Sequence, residues 1–154
     1  MYKVMIVDDD AIVRLDLRTI INWRELNFDL MPDASDGEEA LENIKTYEPD
    51  ILILDLFMPQ MDGFQVLKEL NERGYKGKII VLSCHDEFES VKDALKAGAF
   101  DYLRKQFLER DELVRVLDKA VESIEADRFI YKQKSIDLGD CLIESVLKNE
   151  DRKS

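Results

Sequence analysis

Short, wholly apolar runs alternate along this chain with longer stretches in which apolar residues recur every three or four positions. Residues 2–7 (YKVMIV), 51–54 (ILIL) and 79–82 (IIVL) are the continuous apolar runs. Strands buried on both faces of a parallel sheet have this character. Residues 28–32 and 100–103 are weaker strand candidates. The helical period predicts helices near 11–23, 37–46, 63–73 and 87–97, and a last one from about 110. In the 37–46 stretch, Ala40, Leu41 and Ile44 share one face and Asp36 is placed to cap the start. Five strands alternating with five helices imply βα units, and hence an α/β fold with a parallel sheet covered on both faces. In such sheets pockets form beyond the C-terminal ends of the strands, so the residues that end the strands are the ones to inspect.

The end of the chain is organised differently. The helical pattern over residues 110–133 is longer than one layer requires. Ser135-Ile136-Asp137 reads as a break, and residues 138–148 as a second short amphipathic segment with Leu138, Leu142, Val146 and Leu147 near one face. Residues 149–154 are polar and expected to fray. This divides the chain into a domain over residues 1–124 and a helical extension over 125–154. Leu113, Leu117, Ala120, Ile124, Asp127 and Tyr131 follow spacings of four and three, as a coiled-coil seam does. The first half of that seam is explained by packing on a sheet. The continuation to Tyr131 suggests that two chains meet there, and a homodimer through this helix or through the receiver face is expected.

Composition narrows the function. The chain carries 22 basic and 34 acidic side chains, a formal net charge of −12. No basic patch stands out against that charge, which argues against direct nucleic-acid binding. No apolar run approaches the ~18 residues of a membrane span, and no signal peptide is evident. Two isolated thiols, Cys84 and Cys141, then suggest a reducing cytoplasm. The single His85 excludes a zinc site of the usual His/Cys kind.

The strand ends carry the chemistry. The first strand ends in Asp8-Asp9-Asp10, the third in Asp55 and the fourth in Ser83, while the fifth leads to Lys105. In a parallel sheet these termini face one way. Crowded carboxylates resist ionisation unless a cation neutralises them. Mg²⁺, a hard ion that accepts carboxylates, waters and a phosphate oxygen, is the natural remedy. With Mg²⁺ and Lys105 offsetting Asp8, Asp9 and Asp55, the Asp55 carboxylate could attack phosphorus and form an acyl phosphate. Ser83 could donate to the phosphoryl oxygens. Taken singly, each residue has a plainer reading. Asp10 reads best as a helix cap, Asp55 before Met58-Pro59 could be a turn residue, Ser83 a cap, Lys105 a solvated lysine and Tyr102 a core residue. The joint arrangement at four strand ends is what chance rarely supplies.

Val7-Asp8-Asp9-Asp10, the run Leu54-Asp55-Leu56-Phe57-Met58-Pro59-Gln60-Met61-Asp62-Gly63, Val81-Leu82-Ser83, and Gly98 through Lys105 resemble the four signatures of response-regulator receiver domains. The resemblance covers roughly residues 2–122. It implies a flavodoxin-like (βα)5 fold with strand order 2-1-3-4-5, the order common to flavodoxin and chemotaxis receivers. By the same resemblance Asp55 is the phosphoacceptor, supplied by a sensor histidine kinase. Asp8 and Asp9 form the metal-binding pair, with Asp55 and the Phe57 backbone carbonyl as further Mg²⁺ ligands. Lys105 binds the phosphoryl group, and Ser83 and Tyr102 form the switch pair. Such a protein is an acceptor, not a turnover enzyme.

Asn22-Trp23-Arg24-Glu25-Leu26-Asn27-Phe28 and Ser83-Cys84-His85-Asp86-Glu87-Phe88 resemble receivers that precede an AraC-type DNA-binding domain. Such an output domain would add roughly 100 residues, so this sequence reads as the receiver portion of a transcription regulator, or else as a stand-alone receiver. Two departures stand out. Cys84 occupies a position usually held by a smaller residue, with His85 beside it to reach over the phosphate. Gln106 follows Lys105 where the family has a proline after a cis bond. A non-proline cis bond costs ~2.5–4 kcal/mol, and the following loop is long enough to re-route, so a trans Lys105–Gln106 bond is expected, with Lys105 still drawn to the acidic cluster. Two rival functions remain. One is a phosphatase of the haloacid-dehalogenase type built on Asp8 and Asp10, which leaves the Asp55 run unexplained. The other is a degenerate receiver that only binds protein, for which Gln106 is the sole support.

Overall fold

In the computed structural model, which describes residues 1–84 and 87–153 and side chains through residue 138, a five-stranded parallel sheet has the order β2-β1-β3-β4-β5. The strands are β1 (Tyr2–Val7), β2 (Phe28–Leu30), β3 (Ile51–Asp55), β4 (Lys78–Ser83) and β5 (Asp101–Arg104). The helices are α1 (Ala11–Ile20), α2 (Gly37–Tyr47), α3 (Gly63–Glu72), α4 (Phe88–Lys96) and α5 (Arg110–Lys153). This is the flavodoxin-like strand order. The central strands are buried over most of their length, Val4 to Val7, Ile51 to Leu54 and Ile79 to Leu82, which is why their sequences show no alternation there.

Element ends follow local chemistry. β2 stops earlier than its apolar run suggests because the ladder slips by one residue after Met31: the next N–H to reach β1 is that of Ala34, which donates to the Ile6 carbonyl. The Met31 N–H still donates to the Val4 carbonyl, and pairing resumes only at the bridge between Val7 and Ala34. Likewise α1 ends at Ile20, short of residue 23. The buried Trp23 folds back, donates its indole N–H to the Leu17 carbonyl at 3.0 Å, and meets Phe28 edge-on. Asp10, Asp36 and Asp62 cap α1, α2 and α3 with their carboxylates, and Asp62 and Gln65 complete a reciprocal capping box. β5 is shifted one residue from its expected span, since the Phe100 N–H already serves the Ile79 carbonyl as the chain enters the sheet.

The expected break at Ser135-Ile136-Asp137 does not occur: α5 is continuous from Arg110 to Lys153. Ser, Ile and Asp each disfavour a helix by less than ~1 kcal/mol against alanine, far below proline, so three in a row need not end one. The side chains expected on the 138–148 face lie outside the described residues beyond Leu138. The chain divides into two compact units, Met1–Val121 and Glu122–Ser154. In the first, Leu113, Val116, Leu117 and Ala120 are buried. In the second, Phe129, Ile130, Tyr131, Ile136 and Leu138 are exposed. Among the described residues no helix is long and apolar enough to cross a membrane.

Candidate functional site: an acidic pocket at the strand ends

β1 and β3 are adjacent in the sheet interior, in register from Val4 with Ile51 to Val7 with Leu54. Asp8, one residue past β1, therefore lies beside Asp55, the last residue of β3. Both are buried, at 0% and 1% exposure. A carboxylate so placed demands compensation. Asp8 Oδ1 accepts the Asp10 N–H at 2.9 Å, and Asp55 Oδ1 accepts the Phe57 N–H at 3.2 Å. The remaining oxygens, Asp8 Oδ2 and Asp55 Oδ2, lie 3.0 and 2.9 Å from Lys105 Nζ. Neither oxygen has an aligned hydrogen-bond donor, so the charge of one ammonium holds two buried anions.

The sheet delivers that ammonium. Ser83, buried at the end of β4, accepts the Lys105 N–H through its carbonyl at 2.8 Å, which carries the lysine back over the strand ends. The Lys105–Gln106 bond is trans. The chain turns just afterwards at Phe107, in the left-handed region with φ 58°, before entering α5. Lys105 thus meets the acidic cluster without the family's cis proline.

Charge states follow from this geometry. Burial pushes Asp55 up to about 6; the Lys105 contact opposes the shift and the Asp8 charge adds to it. Burial also raises Asp8, against its bonds from Asp10 and Lys105. Burial alone would lower Lys105, but the contacts with Asp55 and Asp8 outweigh it and raise the ammonium well above its usual range. Lysine therefore stays charged at any ordinary pH, while Asp55 is poised near the physiological range.

Carboxylate oxygens of Asp8, Asp9 and Asp55 lie within 4.8 Å of one another. Two of the three residues are buried with an oxygen lacking an aligned donor, and all ligand atoms are oxygens. That donor set suits a small hard divalent ion such as Mg²⁺. Asp10 stands outside the group; its carboxylate accepts the Ile12 N–H at 2.9 Å as the cap of α1. Phe57 sits two residues past Asp55, with its ring half exposed and edge-on to Phe64. Tyr102 pairs with Val81 in β5 and exposes its ring. The expected contact of His85 with the phosphate lies outside the described residues.

Two contacts have no counterpart in the sequence reading. Arg14 Nη1 donates to the Asp8 carbonyl at 2.5 Å, while its Nε lies 3.7 Å from Asp33, which also pairs with Arg18. The four-residue spacing of Arg14 and Arg18 is the one signal that could have found it. The second contact joins Glu87 to Cys84. Gly63 also matters: a Cβ there would lie 2.3 Å from the Asp55 carbonyl oxygen, so only glycine lets α3 start this close to the acceptor strand.

The comparisons with known proteins agree with this architecture. The family model of the response regulator receiver domain matches residues 4–118, and the chain belongs to that family. It is 32% identical over 120 residues to the chemotaxis protein CheY of Bacillus subtilis, a match covering 78% of this chain and 98% of CheY. It is 33% identical over 138 residues to the transcriptional regulatory protein YesN of the same organism, covering 90% of this chain but 37% of YesN. Among solved structures, the REC domain of AraT, a response regulator from Geobacillus stearothermophilus, superimposes with a TM-score of 0.76 at 36% identity, over 82% of this chain and 98% of that one. The chain spans about half the length, or less, of several curated relatives that it matches.

Proposed function

We propose that Asp55 accepts a phosphoryl group from a phosphohistidine of a sensor kinase and that the resulting charge switches the receiver. The observation that carries this reading is the buried Asp8–Lys105–Asp55 cluster with Asp9 alongside. Asp55, near 6, is largely ionised at neutral pH and is the buried carboxylate at the pocket's centre. One of its oxygens would bond phosphorus as the bond to the histidine nitrogen breaks and the electron pair leaves with the imidazole. Lys105 would then pair with phosphoryl oxygens, and the Ser83 hydroxyl would donate to another. Asp8, Asp9, Asp55 and the Phe57 carbonyl are the groups that would hold Mg²⁺. That ion would neutralise charge on the transferring group.

Several features favour a protein donor. Ile12 and Leu15 on α1 and Phe107 in the loop before α5 are exposed apolar side chains on elements that adjoin the pocket. Such side chains suit a docking protein surface better than a small ester. Acceptor chemistry also leaves the Asp55 run accounted for, which turnover of an ester on Asp8 would not. Tyr102, exposed on the edge strand β5 that pairs with β4, is the residue we assign as the switch partner of Ser83.

The output reading is transcription control through an AraC-type domain outside this sequence. It is supported by the motifs around Trp23 and Ser83 and by likeness to a transcriptional regulatory protein. The net charge of −12 makes direct DNA binding by this chain unfavourable. The alternative reading is a stand-alone receiver, since the chain is also similar to a chemotaxis protein. The cytoplasm is the compartment in which such a kinase partner would meet it. The test is labelling by acetyl phosphate with Mg²⁺, read by intact mass. One phosphoryl group should add to the wild type and none to Asp55→Ala. Undiminished labelling of the variant would refute the assignment.

A further inference from the structure

α4 begins differently from the three helices before it. Asp10, Asp36 and Asp62 each turn a carboxylate into their own helix. Glu87, at the same position before α4, makes no such bond. Its Oε2 turns backward and accepts the Cys84 N–H at 2.8 Å, while its own N–H donates to the Cys84 carbonyl at 3.3 Å. A side chain that could cap a helix is instead committed to the end of β4.

That end is the rim of the pocket. Leu82 is in register with Asp55, Ser83 carries Lys105 on its carbonyl, and Cys84 comes next. The Cys84 thiol is raised by burial and then by Glu87, and it feels Lys105 and Asp55 as well, so these charges share one neighbourhood. Glu87 is thus a fourth carboxylate near a site that already holds Asp8, Asp9 and Asp55. Its hold on a backbone N–H resembles what a phosphoryl oxygen would seek, an anion taking a charge-assisted hydrogen bond.

We propose that Glu87 is a built-in competitor for the phosphoryl group: its carboxylate holds the Cys84 N–H while Asp55 is free, and yields that donor when Asp55 is phosphorylated. The proposal rests on the reading of Asp55 as the acceptor. A phosphoryl group adds close to two negative charges. Repulsion would drive the Glu87 carboxylate off the rim while a phosphoryl oxygen takes the vacated N–H. Glu87 opens α4, so its release reports the state of Asp55 directly to the first turn of that helix, where Phe88 is exposed. In this role Glu87 is a positioning residue, acting through Cys84.

The experiment compares wild type with Glu87→Gln and Glu87→Ala. The glutamine keeps an acceptor oxygen and the shape, so it separates charge from loop structure. Beryllium fluoride, which builds a tetrahedral anion on a carboxylate, serves as the phosphoryl probe in the presence of Mg²⁺. Both variants should bind it roughly three- to tenfold more tightly, the difference between a neutral and a charge-assisted contact. Affinity for Mg²⁺ alone should stay level or fall, because an anion has been removed; general damage to the pocket would weaken both ligands together. In the wild type the Cys84 amide NMR signal should shift as the probe binds, and in Glu87→Ala it should start from a different position. A Glu87→Gln protein of normal stability that binds the probe no more tightly than wild type overturns the proposal. Wild-type protein that takes neither the probe nor a label at Asp55 overturns the acceptor reading and the competitor with it.

Discussion

Lys105 Nζ lies 2.9 Å from Asp55 Oδ2 and, at the same time, 3.0 Å from Asp8 Oδ2, so one lysine is shared by two buried carboxylates from neighbouring strands. Removing a partner from such a cluster leaves uncompensated charge in a low-dielectric site, which is costlier than the pair was favourable. Lys105→Met should therefore destabilise the fold by about 3–5 kcal/mol at pH 8. The loss should shrink by pH 5, where the raised carboxylates take up protons. Urea denaturation at the two pH values checks this, and a loss independent of pH would show that the lysine acts only by packing. Labelling from acetyl phosphate should fall to near background in the same variant.

The Asp55 carboxyl predicts its own pH dependence. Its folded value, about 6, lies above the ordinary 3.8, so the folded state holds this proton more tightly than the unfolded chain does. The stability it contributes is fully present below pH ~4 and is lost as pH rises through about 6. A shift of this size corresponds to a loss on the order of 2–3 kcal/mol. Asp55→Asn carries no such titration. Its stability relative to wild type should rise between pH 4 and 7 in metal-free buffer. Parallel stability curves for the two proteins would contradict the raised carboxyl.

Gly63 ties the acceptor strand to α3. The Gly63 N–H donates to the Leu56 carbonyl at 2.9 Å, and an added Cβ would meet backbone, which cannot rotate away. Gly63→Ala should destabilise the protein by about 1–3 kcal/mol, as overpacking does. Because the clash is with the Asp55 carbonyl, labelling should fall even at temperatures where the variant stays folded. Thermal unfolding together with intact-mass labelling distinguishes local distortion from simple instability.

Much of this can be read from the residue pattern, and the reasons for success and failure are physical. The central strands are legible because burial on both faces leaves only apolar residues, and their order fixes where Asp8, Asp55, Ser83 and Lys105 must converge. The caps at Asp10 and Asp36 are legible because a short carboxylate before an amphipathic run has few other uses. Helix ends set by a distant side chain are not, as with Trp23 closing α1 over Leu17. The break expected at residues 135–137 is absent because weak helix formers do not stop a long helix. Glu87 is hidden in the sequence because nothing in its spacing distinguishes a cap turned inward from one turned back toward a strand.

Exposed aromatic and aliphatic residues in the second unit, Phe129, Ile130, Tyr131, Ile136 and Leu138, carry a prediction about association. Apolar side chains of this size gain about 1.5–3 kcal/mol each when fully buried. A second copy of the chain would supply the cover, consistent with the continuation of the seam past Ile124 to Tyr131. Sedimentation of the full chain should show a monomer–dimer equilibrium that shifts toward monomer in Phe129→Ser/Tyr131→Ser. A single monomeric species at high concentration, both with and without beryllium fluoride and Mg²⁺, would remove the homodimer from the proposal.

Metal binding should be linked to the same proton. Asp55 must give up its proton to serve as a ligand, and with a value of about 6 it is mostly ionised at pH 8 but about one-tenth ionised at pH 5. Mg²⁺ should therefore bind about tenfold more weakly at pH 5 than at pH 8, apart from any contribution from Asp8. A ligand that binds only the folded state raises stability by RT ln(1 + [L]/Kd). The rise in melting temperature on adding Mg²⁺ should accordingly be large at pH 8 and small at pH 5. Asp9→Ala should reduce it at both, since Asp9 is the exposed member of the carboxylate group and its removal spares the buried core. In Asp55→Asn the dependence on pH should flatten because the titrating ligand is gone. An Mg²⁺ effect equally strong at pH 5 and pH 8 in the wild type would place the ion somewhere other than beside Asp55.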